Sequence, residues 1–197
     1  MLKLQLLFSG GKDSCLAAIM LQKFFEIELL TYNFAVLSNW KKAETVANML
    51  KIRFRVVKLD KEILGIAAEQ IKKDGFPSNG IKYIHKKALE HAARKSDFIS
   101  DGVRRDDRIP ILSLSEIRQL EDKFQVHYIQ PLMGYSSKTI NLLTKKFFVV
   151  EEHRSDSDFI GSEYEFELKE LIKNKYGIDQ VIKIFPQKHT HSIVKNI

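Results

Sequence analysis

The sequence predicts an α/β fold, a doubly wound parallel sheet of five strands with helices on both faces. Three observations carry that reading. Apolar runs of strand length alternate with stretches of helical spacing across residues 1–150. The first strand breaks at a glycine-rich turn, Ser9-Gly10-Gly11-Lys12-Asp13-Ser14, which opens directly onto a helix former. A chain of 197 residues is long enough for one domain with a full core and a small appendage. Strands separated by helices imply right-handed crossovers and a parallel sheet. Its ligands sit beyond the carboxyl ends of the strands, where the strand order reverses.

Each element follows from its pattern. Leu2, Leu4, Leu6, Leu7 and Phe8 form the apolar run of a buried strand, and Cys15-Leu16-Ala17-Ala18-Ile19-Met20 starts the first helix. Glu26–Phe34 reads as a second strand, Trp40–Leu50 as a helix through Ala43, Val46, Ala47 and Leu50, and Arg53–Leu59 as a third strand. Lys61–Lys73 is helical, with Ile63, Leu64, Ala67, Ala68 and Ile71 on one face. Asp74–Gly80 is a turn-rich break before a helix from Ile81 to Arg94. The polar face of that helix, Lys82, Lys86, Lys87, His91 and Arg94, suits a phosphate backbone or plain solvent equally well. His85 and His91 are too far apart to ligate a metal from adjacent turns. A short strand ends at Gly102, a helix over Ser113–Phe124 opens with the capping signal Ser113-x-x-Glu116, and Val126–Ile129 is the fifth strand. Beyond residue 150 the pattern weakens. Phe147–Val150 is a short apolar run, Ser162–Tyr176 a helix with Leu168, Leu171 and Ile172 inward, and Val181–Phe185 a strand.

Composition narrows the class. The 44% hydrophobic content is ordinary for a globular protein. No apolar run is long enough to cross a bilayer, and no basic segment leads a signal-type core, so the expectation is a cytoplasmic protein without a membrane partner. A single cysteine, Cys15, excludes an intramolecular disulfide framework and a multi-cysteine metal site. Beside a helix N-terminus its thiol is either activated or a buried packing group. The net charge of +7 suits a polyanion, nucleic acid above all.

The turn after the first strand is built to hold an anion. Adjacent glycines let the backbone turn sharply and approach a ligand closely, and the unpaired N–H groups of the new helix point into that space. Ser9 and Ser14 add hydroxyls and Lys12 a mobile positive charge. The Walker A spacing is absent, and so is the glycine spacing of a dinucleotide site. As written, Ser-Gly-Gly-Lys-Asp-Ser resembles the SGGxDS signature of the PP-loop family, the N-type ATP pyrophosphatases. That resemblance implies a Rossmann-like sheet of the HUP type and an ATP site, with cleavage between the α- and β-phosphates. It also implies an ATP-binding domain over 1–150 and a small C-terminal extension over 151–197, packed on the core. Phe8, Ser9, Gly10, Gly11, Lys12, Asp13 and Ser14 would hold the nucleotide. By analogy to the family, the backbone around Asn33, Phe34 and Ala35 would take the adenine.

The second informative stretch, Asp97 to Arg108, carries Gly102, then Arg104, Arg105, Asp106 and Asp107 in a charged loop. Carboxylates at a strand's end can hold Mg²⁺ and arginines can clamp phosphate, while a surface salt-bridge loop explains the same residues. It resembles the G-x-x-x-D-D element of PP-loop enzymes, with Val103 where the family has His or Thr. The resemblance implies that Gly102 and Arg105 contribute to the nucleotide site, and that Asp13, Asp106 and Asp107 contribute to a Mg²⁺ site. Pro131-Leu132-Met133-Gly134-Tyr135-Ser136-Ser137-Lys138 is similar to the family's Pro-Leu element, whose lysine opens the next helix, so Lys138 joins Lys12, Asp13, Asp106 and Asp107 as a catalytic candidate. Gly161-Ser162-Glu163-Tyr164-Glu165 is loosely similar to the acidic segment of diphthamide-forming amide ligases, and an acid-rich helix N-terminus explains it equally. Lys188, His189 and His191 are candidates for substrate phosphate or a metal.

In a PP-loop reaction a carbonyl oxygen of the substrate attacks the α-phosphate, pyrophosphate leaves, and a nucleophile displaces the adenylate. The resemblance implies an adenylating enzyme with ATP and Mg²⁺ as cofactors, and the positive charge supports an RNA substrate. A tRNA base is the expected substrate, and homodimers are common in the family. One cysteine disfavours a self-contained sulfur relay. The alternatives are an amide ligase acting on a carboxylate with ammonia, and a non-enzymatic nucleotide-binding module.

Overall fold

The computed structural model describes residues 1–107, 111–154, 161–185 and 190–196. Five strands form one sheet: β1 (Leu2–Leu7), β2 (Phe25–Asn33), β3 (Arg53–Lys58), β4 (Phe98–Ser100) and β5 (His127–Ile129). Their order is β3-β2-β1-β4-β5 and every pairing is parallel. The chain first winds outward from β1 through β2 to β3, then returns to β4 on the other side of β1. The strand order therefore reverses between β1 and β4, and the carboxyl ends there open a crevice.

Alternation along the strands feeds two cores. Leu4, Leu6 and Phe8 face one side with Ile27 and Leu29, against α1 (Lys12–Leu21), α2 (Lys41–Leu50) and α6 (Ser137–Thr144). Leu7, Leu30, Tyr32, Val57 and Ile99 face the other, against α3 (Lys61–Asp74), α4 (Ser78–Ala93), α5 (Leu114–Phe124), α7 (Tyr164–Tyr176) and α8 (Ile178–Ile184). Paired positions such as Leu6 and Leu29 are fully buried, and each such leucine contributes about 2–3 kcal/mol by leaving water. The Ser-x-x-Glu signal is realised as a capping box: Ser113 Oγ accepts from the Glu116 N–H, and Glu116 takes the Ser113 N–H.

Two elements differ from expectation. Helix α4 begins at Ser78, so Asn79 and Gly80 lie in its first turn instead of in a loop. A Cβ at Gly80 would lie 2.5 Å from Ile71 Cγ1 and 2.7 Å from the Ala67 carbonyl oxygen. The glycine that looks like a helix breaker is what lets α4 cross α3 closely. Val181–Phe185, expected as a strand, instead forms the second half of α8 up to Ile184, with Phe185 as its C-cap. Gly177 at φ 89° ends α7, and the following turn of helix buries Ile184, with Phe185 just beyond it, against the core.

The C-terminal part is woven into the core. Strands β6 (Val149–Arg154) and β7 (Thr190–Asn196) pair antiparallel as a separate two-stranded sheet. The Val194 N–H donates to the Gly10 carbonyl at 3.2 Å, so β7 docks on the glycine turn. Residue 150 lies inside β6, and α7 packs on α3 and β2. Among the described residues no helix is long and apolar enough to cross a membrane.

Candidate active site

Strand β1 delivers the chain to the switch point, and the glycine turn starts α1 there. Gly10 has φ 75°, a left-handed conformation that costs glycine nothing, and a Cβ on it would meet the Ala43 backbone at 3.1 Å. Gly11 caps α1 in an extended conformation without a side-chain cap. The turn is tied internally: Ser14 Oγ donates to the Gly11 carbonyl at 3.0 Å, the Gly11 N–H reaches Ser9 Oγ at 3.4 Å, and the Ser9 N–H reaches Ser14 Oγ at 3.4 Å. Phe8 is buried, and its N–H donates to the Leu30 carbonyl at 2.8 Å. The first-turn N–H groups of α1 and its dipole favour an anion at this point.

The end of β4 closes against this turn. A Cβ on Gly102 would lie 2.8 Å from Ser14 N and 2.9 Å from Ser14 Cα. Only glycine lets the two chains approach this closely. The loop that follows carries Arg104 inward, with Nη1 3.2 Å from Asp13 Oδ2 and Nε 2.8 Å from Asp107 Oδ1 and 3.2 Å from Asp106 Oδ1. The Arg104 Nε–H is not aimed along these contacts, which are charge contacts and not hydrogen bonds. Arg105, the expected nucleotide-binding arginine, is exposed, and Arg104 occupies the position among the carboxylates. Arg108 and Pro110 lie outside the described residues.

The three candidate carboxylates sit in three environments. Asp13 is pushed up to about 6, because burial outweighs the neighbouring Arg104 guanidinium. Its Oδ1 is buried without a hydrogen-bond partner among the described residues. Asp107 is raised as well, again by burial first. Asp106 is exposed and held below its usual range, chiefly by the Ser137 N–H, which donates to both its oxygens at 2.9 and 3.1 Å. Asp106 thus caps α6, and Lys138 stands exposed on the first turn of that helix. The carboxylates converge on Arg104 and on the α6 N-terminus. Among the described residues no three ligating side chains gather around a common metal position. In this arrangement they do not fit a Mg²⁺ centre made of protein ligands alone.

The opposite wall comes from the distant C-terminal segment. Lys12 Nζ is 3.0 Å from Glu152 Oε1, and the Lys12 N–H donates to Ser192 Oγ at 3.3 Å. Glu167 is fully buried, and its carboxylate accepts the N–H groups of Phe34 (2.9 Å), Val36 (2.9 Å) and Leu37 (3.2 Å). Ala35 takes φ 56° to make that turn. The Phe34 N–H, where the adenine was expected to bind, is therefore held by Glu167. Asn33 knits the same loop, with Oδ1 accepting the Ala35 N–H at 2.9 Å and Nδ2 donating to the Leu37 carbonyl at 2.9 Å. Ser162 Oγ accepts the Ala43 N–H at 3.0 Å and donates to the Asn39 carbonyl at 2.8 Å, and Glu163 Oε2 lies 3.0 Å from His191 Nδ1. Lys188 and His189 lie outside the described residues.

Behind Gly102 lies a buried polar chain that sequence reasoning missed. Asp101 Oδ2 takes the Tyr128 hydroxyl and His85 Nε2 (2.8 Å), Oδ1 takes the Val103 N–H at 3.0 Å, and His85 Nδ1 pairs with the Tyr164 hydroxyl at 2.9 Å. These bonds link α4, β4, β5 and α7 beneath the crevice. Burial and the Asp101 charge raise the Tyr128 hydroxyl, and burial and the same charge raise Tyr164. Asp101, at the strand end just before Gly102, was the readable signal. Cys15 is fully buried and burial raises its thiol, which makes it a packing group.

A five-stranded parallel sheet in this order, with a glycine turn and a helix N-terminus at the switch point, defines a Rossmann-like α/β protein. The chain belongs to DUF7411, described as a family of unknown function, whose model matches residues 2–196. It is 38% identical over 195 residues to the uncharacterized protein MJ0690 of Methanocaldococcus jannaschii, covering 98% of this chain and 96% of that one. Among solved structures it is similar to a protein of Methanocaldococcus jannaschii described as a predicted subunit of tRNA methyltransferase. The TM-score there is 0.91 at 38% identity, with 100% of this chain and 97% of the other covered.

Proposed function

We propose that this chain is an ATP-dependent adenylating enzyme that releases pyrophosphate and activates a carbonyl oxygen on a tRNA base. One observation carries the reading. The turn over residues 9–14 sets a helix N-terminus, Lys12 and the half-buried Asp13 at the reversal of strand order, against an inward arginine. Bound there, ATP would supply an adenylate leaving group for the substrate oxygen. The α1 amides and Lys12, on leaving Glu152, would receive phosphate charge, and Arg104 would hold Asp13 in place. The net charge of +7 and the description of the Methanocaldococcus protein as a predicted tRNA methyltransferase subunit support RNA as the partner. Residues 161–167 build one wall of the same crevice, which favours an amide ligase as the second reading.

The test is pyrophosphate release from ATP and Mg²⁺, with and without bulk tRNA, in wild type and Asp13→Ala. Release that requires both tRNA and Asp13 is the expected result. Release driven by a carboxylate with ammonia in place of tRNA would select the second reading. ATP binding without pyrophosphate under any substrate pool would leave a nucleotide-binding module.

A further inference from the structure

Surface cations are held differently on two helices. On α4, whose polar face suits a phosphate backbone or solvent, two of the lysines are engaged: Lys82 Nζ lies 2.7 Å from Glu116 Oε2, and Lys87 Nζ 3.0 Å from Glu90 Oε2. The surface around α6 is different. Between Asp122 and Glu151 the chain carries no acidic side chain, and Lys138, Lys145 and Lys146 fall inside that stretch. Ile140 and Thr144 turn inward from α6, which leaves Lys138, Leu142 and Lys145 along one exposed stripe. Lys146 and Phe147 continue it, both exposed, and Arg105 is exposed on the loop whose Asp106 caps the head of α6. Arg105, Lys138, Lys145 and Lys146 have no ion-pair partner among the described residues. The carboxylates that flank the stripe are engaged elsewhere: Asp106 on the Ser137 N–H and Arg104, Glu151 on Lys195, and Glu152 on Lys12.

Cations gathered without counter-charges repel one another, and the field they build attracts a polyanion. Lys138 stands in the first turn of α6, where a cation works against the helix dipole, so helix stability does not account for it. The stripe begins at the mouth of the crevice, because the loop that caps α6 is the one that sets Arg104 against Asp13. A run of phosphates lying on the stripe therefore leads into the crevice. Phe147 is 43% exposed beside the last two lysines, and a ring among cations offers its face to an unstacked base. We infer that the α6 stripe is the docking face for the RNA substrate, an assignment that rests on RNA being the substrate of the crevice. Its phosphates lie against Arg105, Lys138, Lys145 and Lys146, and a base lies on Phe147. A helix of eight residues with Leu142 and Phe147 exposed buries too little apolar surface to anchor on lipid, which favours RNA over a membrane surface.

The test is fluorescence anisotropy of labelled bulk tRNA with the full chain across a salt series, without ATP. Lys145→Ala with Lys146→Ala alters only exposed side chains. It is expected to weaken binding about tenfold and to flatten the slope of log affinity against log salt by about 1.4–1.8, for two lost phosphate contacts. Lys82→Ala with Lys87→Ala removes the same charge from α4. It is expected to change affinity less than about twofold, because those lysines already hold carboxylates. Phe147→Leu is expected to weaken binding about threefold at unchanged slope. Unchanged affinity and slope in the α6 lysine pair would overturn the docking face. Equal losses in the two lysine pairs would overturn it too, since net charge alone would then account for binding. Vesicles of phosphatidylserine and phosphatidylcholine are expected to leave the tRNA bound, and displacement through Lys145 and Lys146 would overturn the RNA assignment in favour of a lipid surface. Pyrophosphate release separates this face from the proposed anion cradle at residues 9–14. Release with unchanged KM for tRNA in the α6 lysine pair strikes the docking face alone. Binding of tRNA that depends on the pair, without any release, strikes the adenylation alone.

Discussion

The two walls of the crevice treat buried charge in opposite ways. On the Gly161 side, Glu167 is fully buried and its carboxylate is answered by three backbone N–H groups. On the Ser9 side, Asp13 is half-buried, with one oxygen buried and unanswered among the described residues, and is pushed up to about 6. A carboxylate with all its donors in place braces a fold, whereas one held short of donors costs stability and is retained where chemistry uses it. The C-terminal wall is thus a brace, and the glycine-turn wall is the one on which the proposed chemistry would fall.

The comparison predicts that stability and function divide between the walls. The largest effect belongs to Glu167→Ala, which leaves three backbone donors facing an apolar gap and should cost at least about 3 kcal/mol in urea unfolding. Loss of well under 1 kcal/mol would mean the loop at 34–37 is held by something else. Gly102→Ala comes next, since its Cβ would sit 2.8 Å from Ser14 N, a backbone atom that cannot step aside. Overpacking there should cost about 1–3 kcal/mol in thermal unfolding and weaken ATP binding together with it.

Asp13→Asn should act in the opposite direction on stability. The folded state holds the Asp13 proton more tightly than the unfolded chain, so wild type loses stability as pH rises from the usual carboxylate range, 3.8, to about 6, and the cost is complete above that. At pH above 7 the asparagine variant should be more stable by about 1–3 kcal/mol, with the gain vanishing below about pH 4. A difference in Tm between the two proteins that does not change with pH would contradict this. The smallest effect is that of Glu152→Gln, which breaks a half-exposed pair with Lys12. Stability should move by less than about 0.5 kcal/mol. Freed from Glu152, Lys12 should bind inorganic pyrophosphate more tightly, read by calorimetry, and equal affinities would place Lys12 outside the cradle.

Legibility in the sequence followed the range of the interaction. The strands and helices through residue 150 were readable because apolar periodicity is local, and so was the turn at 9–14, whose glycines and helix start sit side by side. Gly80 was misread because its role is the contact with Ile71 and Ala67 on α3, which no local pattern records. Val181–Phe185 was misread because a short apolar run fits either period, and the packing of Ile184 and Phe185 decided for a helix. Arg104 and Arg105 are adjacent and chemically alike, so only the path of the loop after Gly102 decided which one meets Asp13.

By itself the sequence determined the sheet, its strand–helix alternation, the anion-favouring turn and the excess of positive charge. Each depends on spacing within one segment and on the intrinsic chemistry of the residues in it. The tertiary structure alone decided that Ser192 and Glu152 would meet Lys12 across 180 and 140 residues, and that Glu167 would hold the loop at Phe34. It also decided that Asp101 would join His85 and Tyr128 in one buried chain. Those pairings arise from how the helices pack and where β7 docks, and burial then turned ordinary carboxylates into one brace and one strained acid.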